Sequence, residues 1–147
     1  MRGSMTRAMA LAACAVLGLC LGAQSNGQVL RADIPFAFHV RDTVMPAGDY
    51  EIRVDPAKRA VTVSAMSGLV TAQFFALTAD QTGRSENCLI FHKFGNSYFL
   101  DRVKSNASPF ALQAPGTKKV REAEKMARAF ANTEVAETRV PIRSVAR

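Results

Sequence analysis

Apolar and polar positions alternate almost without fault from Leu30 to Val40. Leu30, Ala32, Ile34, Phe36, Phe38 and Val40 fall on one side, and Arg31, Asp33, Pro35, Ala37, His39 and Arg41 on the other. A period of two over this length predicts a half-buried strand. Pro35 has no backbone donor, which puts the strand at a sheet edge or gives it a bulge there. Met45-Pro46-Ala47-Gly48 then forms a turn, because proline presets one corner and glycine permits the other. Tyr50, Ile52 and Val54 alternate with Asp49, Glu51 and Arg53 in a second strand. After Asp55-Pro56-Ala57-Lys58, Ala60 to Ala65 gives a third strand with Val61 and Val63 inward. Leu69 to Leu77 is more continuously apolar, with Phe74 and Phe75 adjacent, and predicts a central strand covered on both faces. Ala79 to Asn87 is polar and predicts a loop. Cys88–Phe94 and Ser97–Val103 flank Gly95-Asn96, a strong hairpin signal.

Beyond Ser105 the pattern changes. Residues 106–117 look like loop. From Lys118 to Asn132 the period becomes helical, with Val120, Ala123, Met126, Ala127, Phe130 and Ala131 on one face and Lys118, Arg121, Glu122, Lys125 and Arg128 opposite. Val135 to Val145 is either a weak last strand limited by Pro141 or an unstructured end. The expected fold is mainly β: a single antiparallel β-sandwich or small barrel of about six to seven strands, with a C-terminal amphipathic helix.

Residues 1–25 stand apart. Arg2 and Arg7 precede an uncharged apolar run from Ala8 to Leu21, followed by Gly22-Ala23-Gln24-Ser25. This is the layout of a secretory signal peptide, with cleavage after Ala23 or Ser25. The run is shorter than the ~20 residues needed to span a bilayer. The sequence therefore predicts an exported protein, periplasmic or secreted, with no transmembrane segment in the mature chain. A lipoprotein anchored through Cys14, in Leu11-Ala12-Ala13-Cys14, is a lesser alternative. The expected organisation is a signal peptide (1–25), an antiparallel β-domain (26–105), a loop (106–117) and a basic helical tail with a terminal strand as an option (118–147).

The assignment changes the cysteine and charge arithmetic. Of the three cysteines only Cys88 stays in the mature chain, so no internal disulfide is expected, and Cys88 reads as a small core residue. The formal net charge of +7 also divides. Residues 24–116 hold nine basic and eight acidic side chains, whereas residues 117–147 hold eight and four. A nearly neutral β-region gives no case for nucleic-acid binding. The basic amphipathic tail suits weak contact with an anionic surface, or a solvated helix with internal charge pairs.

The ordered motifs Ile34-Pro35-Phe36-Ala37-Phe38-His39-Val40, Met45-Pro46-Ala47-Gly48-Asp49-Tyr50 and Phe91-His92-Lys93-Phe94-Gly95-Asn96-Ser97-Tyr98-Phe99-Leu100 resemble a family of small exported bacterial β-rich proteins of unknown function. The resemblance covers residues 32–103. Met45 stands where leucine is usual, Phe94 where tyrosine is common, and Lys104 where an aromatic is expected. The resemblance implies a β-rich exported protein and carries no catalytic residues.

Candidate chemistry is sparse. His39, His92 and Cys88 are the only mature His and Cys residues, and none has metal-ligand spacing. Cys88 and His92 lie about 13 Å apart along a strand, too far for a shared ion or a dyad. His39 could approach His92 only if the first and fifth predicted strands pair. Asp49 and Glu51 are paired carboxylates about 7 Å apart on one strand face, a spacing an inverting glycosidase could use, although Arg53 follows on that face. Gly116-Thr117-Lys118 lacks the upstream glycine of a phosphate loop.

Phe91, His92, Phe94, Tyr98 and Phe99 crowd the Gly95-Asn96 hairpin and form the candidate binding patch, either as a ligand mouth or partner surface or as core with Tyr98 presenting its polar tip. No catalytic residue, metal or cofactor is assigned, and the partner is left unknown. The expected function is a non-enzymatic exported β-domain that binds a partner or associates with the envelope. The alternatives are a carrier of a small apolar ligand inside a closed barrel, and a periplasmic hydrolase.

Overall fold

The computed structural model describes residues 27–81, 86–106, 108–130 and 135–145. The expected signal peptide, with Cys14 and Cys20, lies outside the described residues, as do residues 131–134 at the expected helix end. Among the described residues the fold is mainly β, with two sheets and one C-terminal helix.

The first sheet is built from β1 (Gln28–Ile34), β4 (Gly48–Asp55), β5 (Ala60–Ala65), β6 (Thr71–Phe75) and β12 (Arg143–Ser144), in the order β12-β1-β4-β5-β6. The second curls into a half-barrel. It holds β11 (Ala136–Pro141), β8 (Cys88–Phe94), β9 (Ser97–Lys104), β10 (Ala111–Gln113) and β7 (Leu77–Ala79) in that order. β2 (Phe38–Val40) and β3 (Thr43–Met45) complete it, with β2 against β9. All pairs are antiparallel except β2 with β9, which is parallel.

The predicted strand 30–40 is two strands. β1 ends at Ile34, the chain crosses to the other sheet through Pro35-Phe36-Ala37, and β2 begins at Phe38. Pro35 marks this crossing rather than an edge or a bulge, and its missing donor ends the first ladder. Alternation survives because both sheets face one core: Leu30, Ala32, Ile34, Phe38 and Val40 are all buried. The chain crosses again beside Pro46, at Ala76 and at Ile142, just after Pro141. These crossings split three of the predicted strands, and with β3 and β10 they give twelve strands among the described residues.

Leu69 to Leu77 is also corrected. β6 is an edge strand and β7 belongs to the other sheet, while Leu69, Phe75 and Leu77 are 87%, 70% and 55% exposed. The apolar run reflects an uncovered outer face, not burial on two sides. Within the predicted loop 106–117, Ala111–Gln113 pairs with both β9 and β7. The chain end is the strand option: β11 pairs with β8, β12 pairs with β1, and Val140 and Ile142 are buried. The sandwich thus extends past the boundary at 105 expected from composition.

Phe38, Tyr50, Phe74 and Phe91 fill the space between the sheets, each at most 2% exposed. Phe38 bridges them edge-on, its ring centroid 5.1 Å from Tyr50 of the first sheet and 5.2 Å from Phe91 of the second. The β8–β9 hairpin turns through Gly95 at φ +62°, a left-handed conformation that glycine adopts at little cost.

Helix α1 (Lys118–Phe130) starts at Thr117, whose hydroxyl accepts the Val120 N–H at 3.4 Å. None of its residues is buried. Val120, Ala123 and Ala127 are half-buried, but Met126 and Phe130 are 65% and 89% exposed. The apolar face is therefore only partly docked.

Candidate functional site

The hairpin aromatics separate by strand face. Phe91 lies in the core, 0% exposed, edge-on to Phe36 and Phe38. Tyr98 is half-buried on the same face, stacked on Phe36 at 4.0 Å, with Lys93 Nζ over its ring at 5.3 Å from the centroid. His92, Phe94 and Phe99 occupy the opposite, outer face of the curled sheet. Phe94 and Phe99 lie 5.7 Å apart, and His92 is 6.2 Å from Phe94. The five candidates therefore do not form one patch.

The outer group gains further neighbours, of which only His39 was singled out from the sequence. His39 stacks on Phe99 at 4.7 Å. A register shift opposite Ile90 and Phe91 inserts an extra residue in β9 and brings Asp101 beside His92. Asp101 Oδ2 lies 3.5 Å from His92 Nε2 and accepts from Arg102 Nε at 2.6 Å, while Oδ1 accepts from Gln113 Nε2 at 3.2 Å. One carboxylate thus ties β8, β9 and β10 together. Arg41, Pro115, Gly116 and Val120 close the rim, leaving a cavity of about 100 Å³ beneath the start of α1. That is well below the ~300 Å³ at which organic-ligand pockets begin. A bulge and a three-residue strand leave no periodic trace, so the aromatics, His92 and His39 were open to sequence reasoning and Asp101 and Gln113 were not.

His39 and His92 share this face but do not meet. His39 is in register with Phe99, and Phe99 with His92, so a strand separates the imidazoles by about 10 Å. A metal ion needs both within about 2 Å. Among the described residues, no three His, Cys, Asp or Glu side chains converge on a metal position. His39 Nδ1 is buried and has no hydrogen-bond partner among the described residues. Burial, and to a lesser degree the Lys119 ammonium, push its pKa below 6.5.

Cys88 is a free, buried thiol. Burial raises its pKa against the opposing pull of Lys104 and Arg139, which disfavours the nucleophilic thiolate. The Asp49 and Glu51 pair lies on the outer face of the first sheet. Glu51 Oε1 is held by Arg53 Nε at 2.6 Å. Asp49 sits in register with Asp33 and lines an open groove of about 750 Å³ with Arg31, Arg143 and Met66. This is a charged, solvated face, not a closed acid–base site. Among the described residues, no helix is long and apolar enough to cross a membrane. Comparison with protein-family models, curated proteins and solved structures gives no match to this chain.

Proposed function

We propose that the chain is an exported, non-enzymatic β-sandwich held against an anionic lipid surface through α1. The observation that supports this best is the uncovered flank of that helix. Lys119, Met126 and Phe130 point to the same side at 100° per residue, and all three are exposed. The helix carries five basic and two acidic residues. The two acids pair within the helix, Glu122 with Lys118 at 3.7 Å and Glu124 with Arg128. Lys119, Arg121 and Lys125 form no ion pair among the described residues. Exposed apolar side chains beside uncompensated cations suit the boundary of an anionic bilayer, where each Lys or Arg contributes ~1 kcal/mol.

The interior filled by Phe38, Tyr50, Phe74 and Phe91 supports a binding surface on the outside and weighs against a carrier with an enclosed ligand. The signal-like residues 1–25 support export. Cutting the chain at Gly116 would also remove β11 and β12, so point variants are the better test. Vesicles containing phosphatidylglycerol are expected to sediment the native chain, with binding lost as salt rises. M126S/F130S is expected to bind several-fold less, and neutral phosphatidylcholine vesicles little at all. Equal binding by native and variant chains overturns the reading. So does retention on a soluble polyanion without vesicle binding.

A further inference from the structure

We propose that β6 is a self-pairing edge through which two copies of the chain join their first sheets across a two-fold axis at Gln73. Among the described residues, three of the five edge strands of the two sheets carry recognisable protection against such pairing. β11 has Glu137, Arg139 and Pro141. β12 has Arg143. β3 is flanked by Arg41, Asp42 and Pro46. β6 and β7 have none: no charged residue and no proline occurs from Met66 to Ala79. Among the described residues, β6 has β5 on one side and no strand on the other. Ala76 alone separates β6 from β7, so the unprotected edges of both sheets lie on the same side of the sandwich.

The backbone fixes which residues can pair. Ala65 N–H donates to Val70 O at 2.9 Å, and Ala76 N–H donates to Arg59 O at 2.6 Å. In an antiparallel ladder hydrogen-bonded pairs alternate. Val70, Ala72, Phe74 and Ala76 therefore spend their amides on β5, whereas Thr71, Gln73 and Phe75 direct theirs to the open edge. An antiparallel second copy centred on Gln73 sets Gln73 opposite Gln73 and Thr71 opposite Phe75, with every outward amide used. Each face then pairs a large side chain with a small one. Phe74 lies opposite Ala72 on the buried face, and Phe75 opposite Thr71 on the outer face. Shifting the axis to Ala72 or Phe74 opposes two alanines or two phenylalanines instead. The neighbouring outward positions on β5, Thr62 and Ser64, are uncharged, so the two copies meet without like-charge conflict. This pairing does not depend on the lipid contact of α1.

Sedimentation velocity of the full chain over a range of concentrations reads the association directly. The native chain is expected to show a monomer–dimer equilibrium. Q73K, which opposes two cations at the axis, and F75K are each expected to raise Kd at least tenfold with unchanged circular dichroism. An equimolar mixture of Q73K and Q73E is expected to restore the dimer, because residue 73 then faces its opposite charge. A monomer at every concentration overturns the proposal. A dimer indifferent to Q73K and F75K, or a mixture that fails to restore association, does so as well.

Discussion

Tyr50 donates its hydroxyl proton to the carbonyl of Pro46, four residues upstream, while its ring is sealed in the core at 1% exposure. The contact fastens the Met45-Pro46-Ala47-Gly48 crossing between sheets to the strand that follows it. It also explains why the position takes tyrosine: the ring completes the Phe38 contact at 5.1 Å, and the hydroxyl reaches the Pro46 carbonyl. Burial raises the phenol's pKa, so it stays a donor across the neutral range.

Y50F keeps the ring and removes the donor. The expected loss is about 0.5–1.5 kcal/mol, the range of one neutral hydrogen bond whose acceptor can still find water. Urea denaturation with an unchanged slope would measure it. Y50A, which empties the ring's volume as well, is expected to cost about 3–5 kcal/mol.

His39 predicts an acid-side loss of stability. Its folded pKa lies below the unfolded value of 6.5 because of burial and then Lys119. Between the two values the unfolded chain binds more protons, so stability rises with pH in that window. The contribution is complete above about pH 6.5 and is lost as pH falls through the folded pKa. H39Q cannot titrate. The stability difference between native and H39Q chains, followed by denaturation from pH 5 to 8, is expected to be constant above the window and to shift against the native chain below it. A difference that does not change with pH would remove His39 as the cause.

The strands β4 and β5 were legible because each keeps one sheet and one covered face, so period two maps onto burial; β8 and β9, buried on both faces in part, were legible through the Gly95-Asn96 hairpin signal between them. The crossing at Pro35 was not, and the reason is geometric. A strand that leaves one sheet of a sandwich for the other keeps pointing alternate residues at the same core, so Leu30 to Val40 alternates through the break. Phe74 and Phe75 misled in the opposite way. Adjacent phenylalanines suggested two covered faces, yet Phe74 is 2% and Phe75 70% exposed. At the hairpin, the alternation of Phe91 and His92 already implied opposite faces, but grouping residues by nearness in sequence hid it. Asp101 reaches His92 only through a bulge, which composition does not mark.

The final segment is where sequence and structure differ most in energetic consequence. Residues 118–147 look like one basic tail, but their two halves behave differently. Val140 and Ile142 are each 5% exposed, Ile142 N–H donates to Asn87 O at 3.0 Å, and Val145 N–H donates to Val29 O at 3.1 Å. These contacts close one edge on each sheet. I142A is therefore expected to destabilise the fold by about 2–4 kcal/mol, and removal of residues 135–147 to leave β1 and β8 without their outer partners and the chain unfolded or aggregated. F130S, at a residue 89% exposed on the helix, is expected to change stability by no more than about 0.5 kcal/mol. Thermal and urea unfolding of these chains would separate the roles. A small effect of I142A together with a large effect of F130S would mean that the helix, and not the terminal strands, holds the end of the chain to the sandwich.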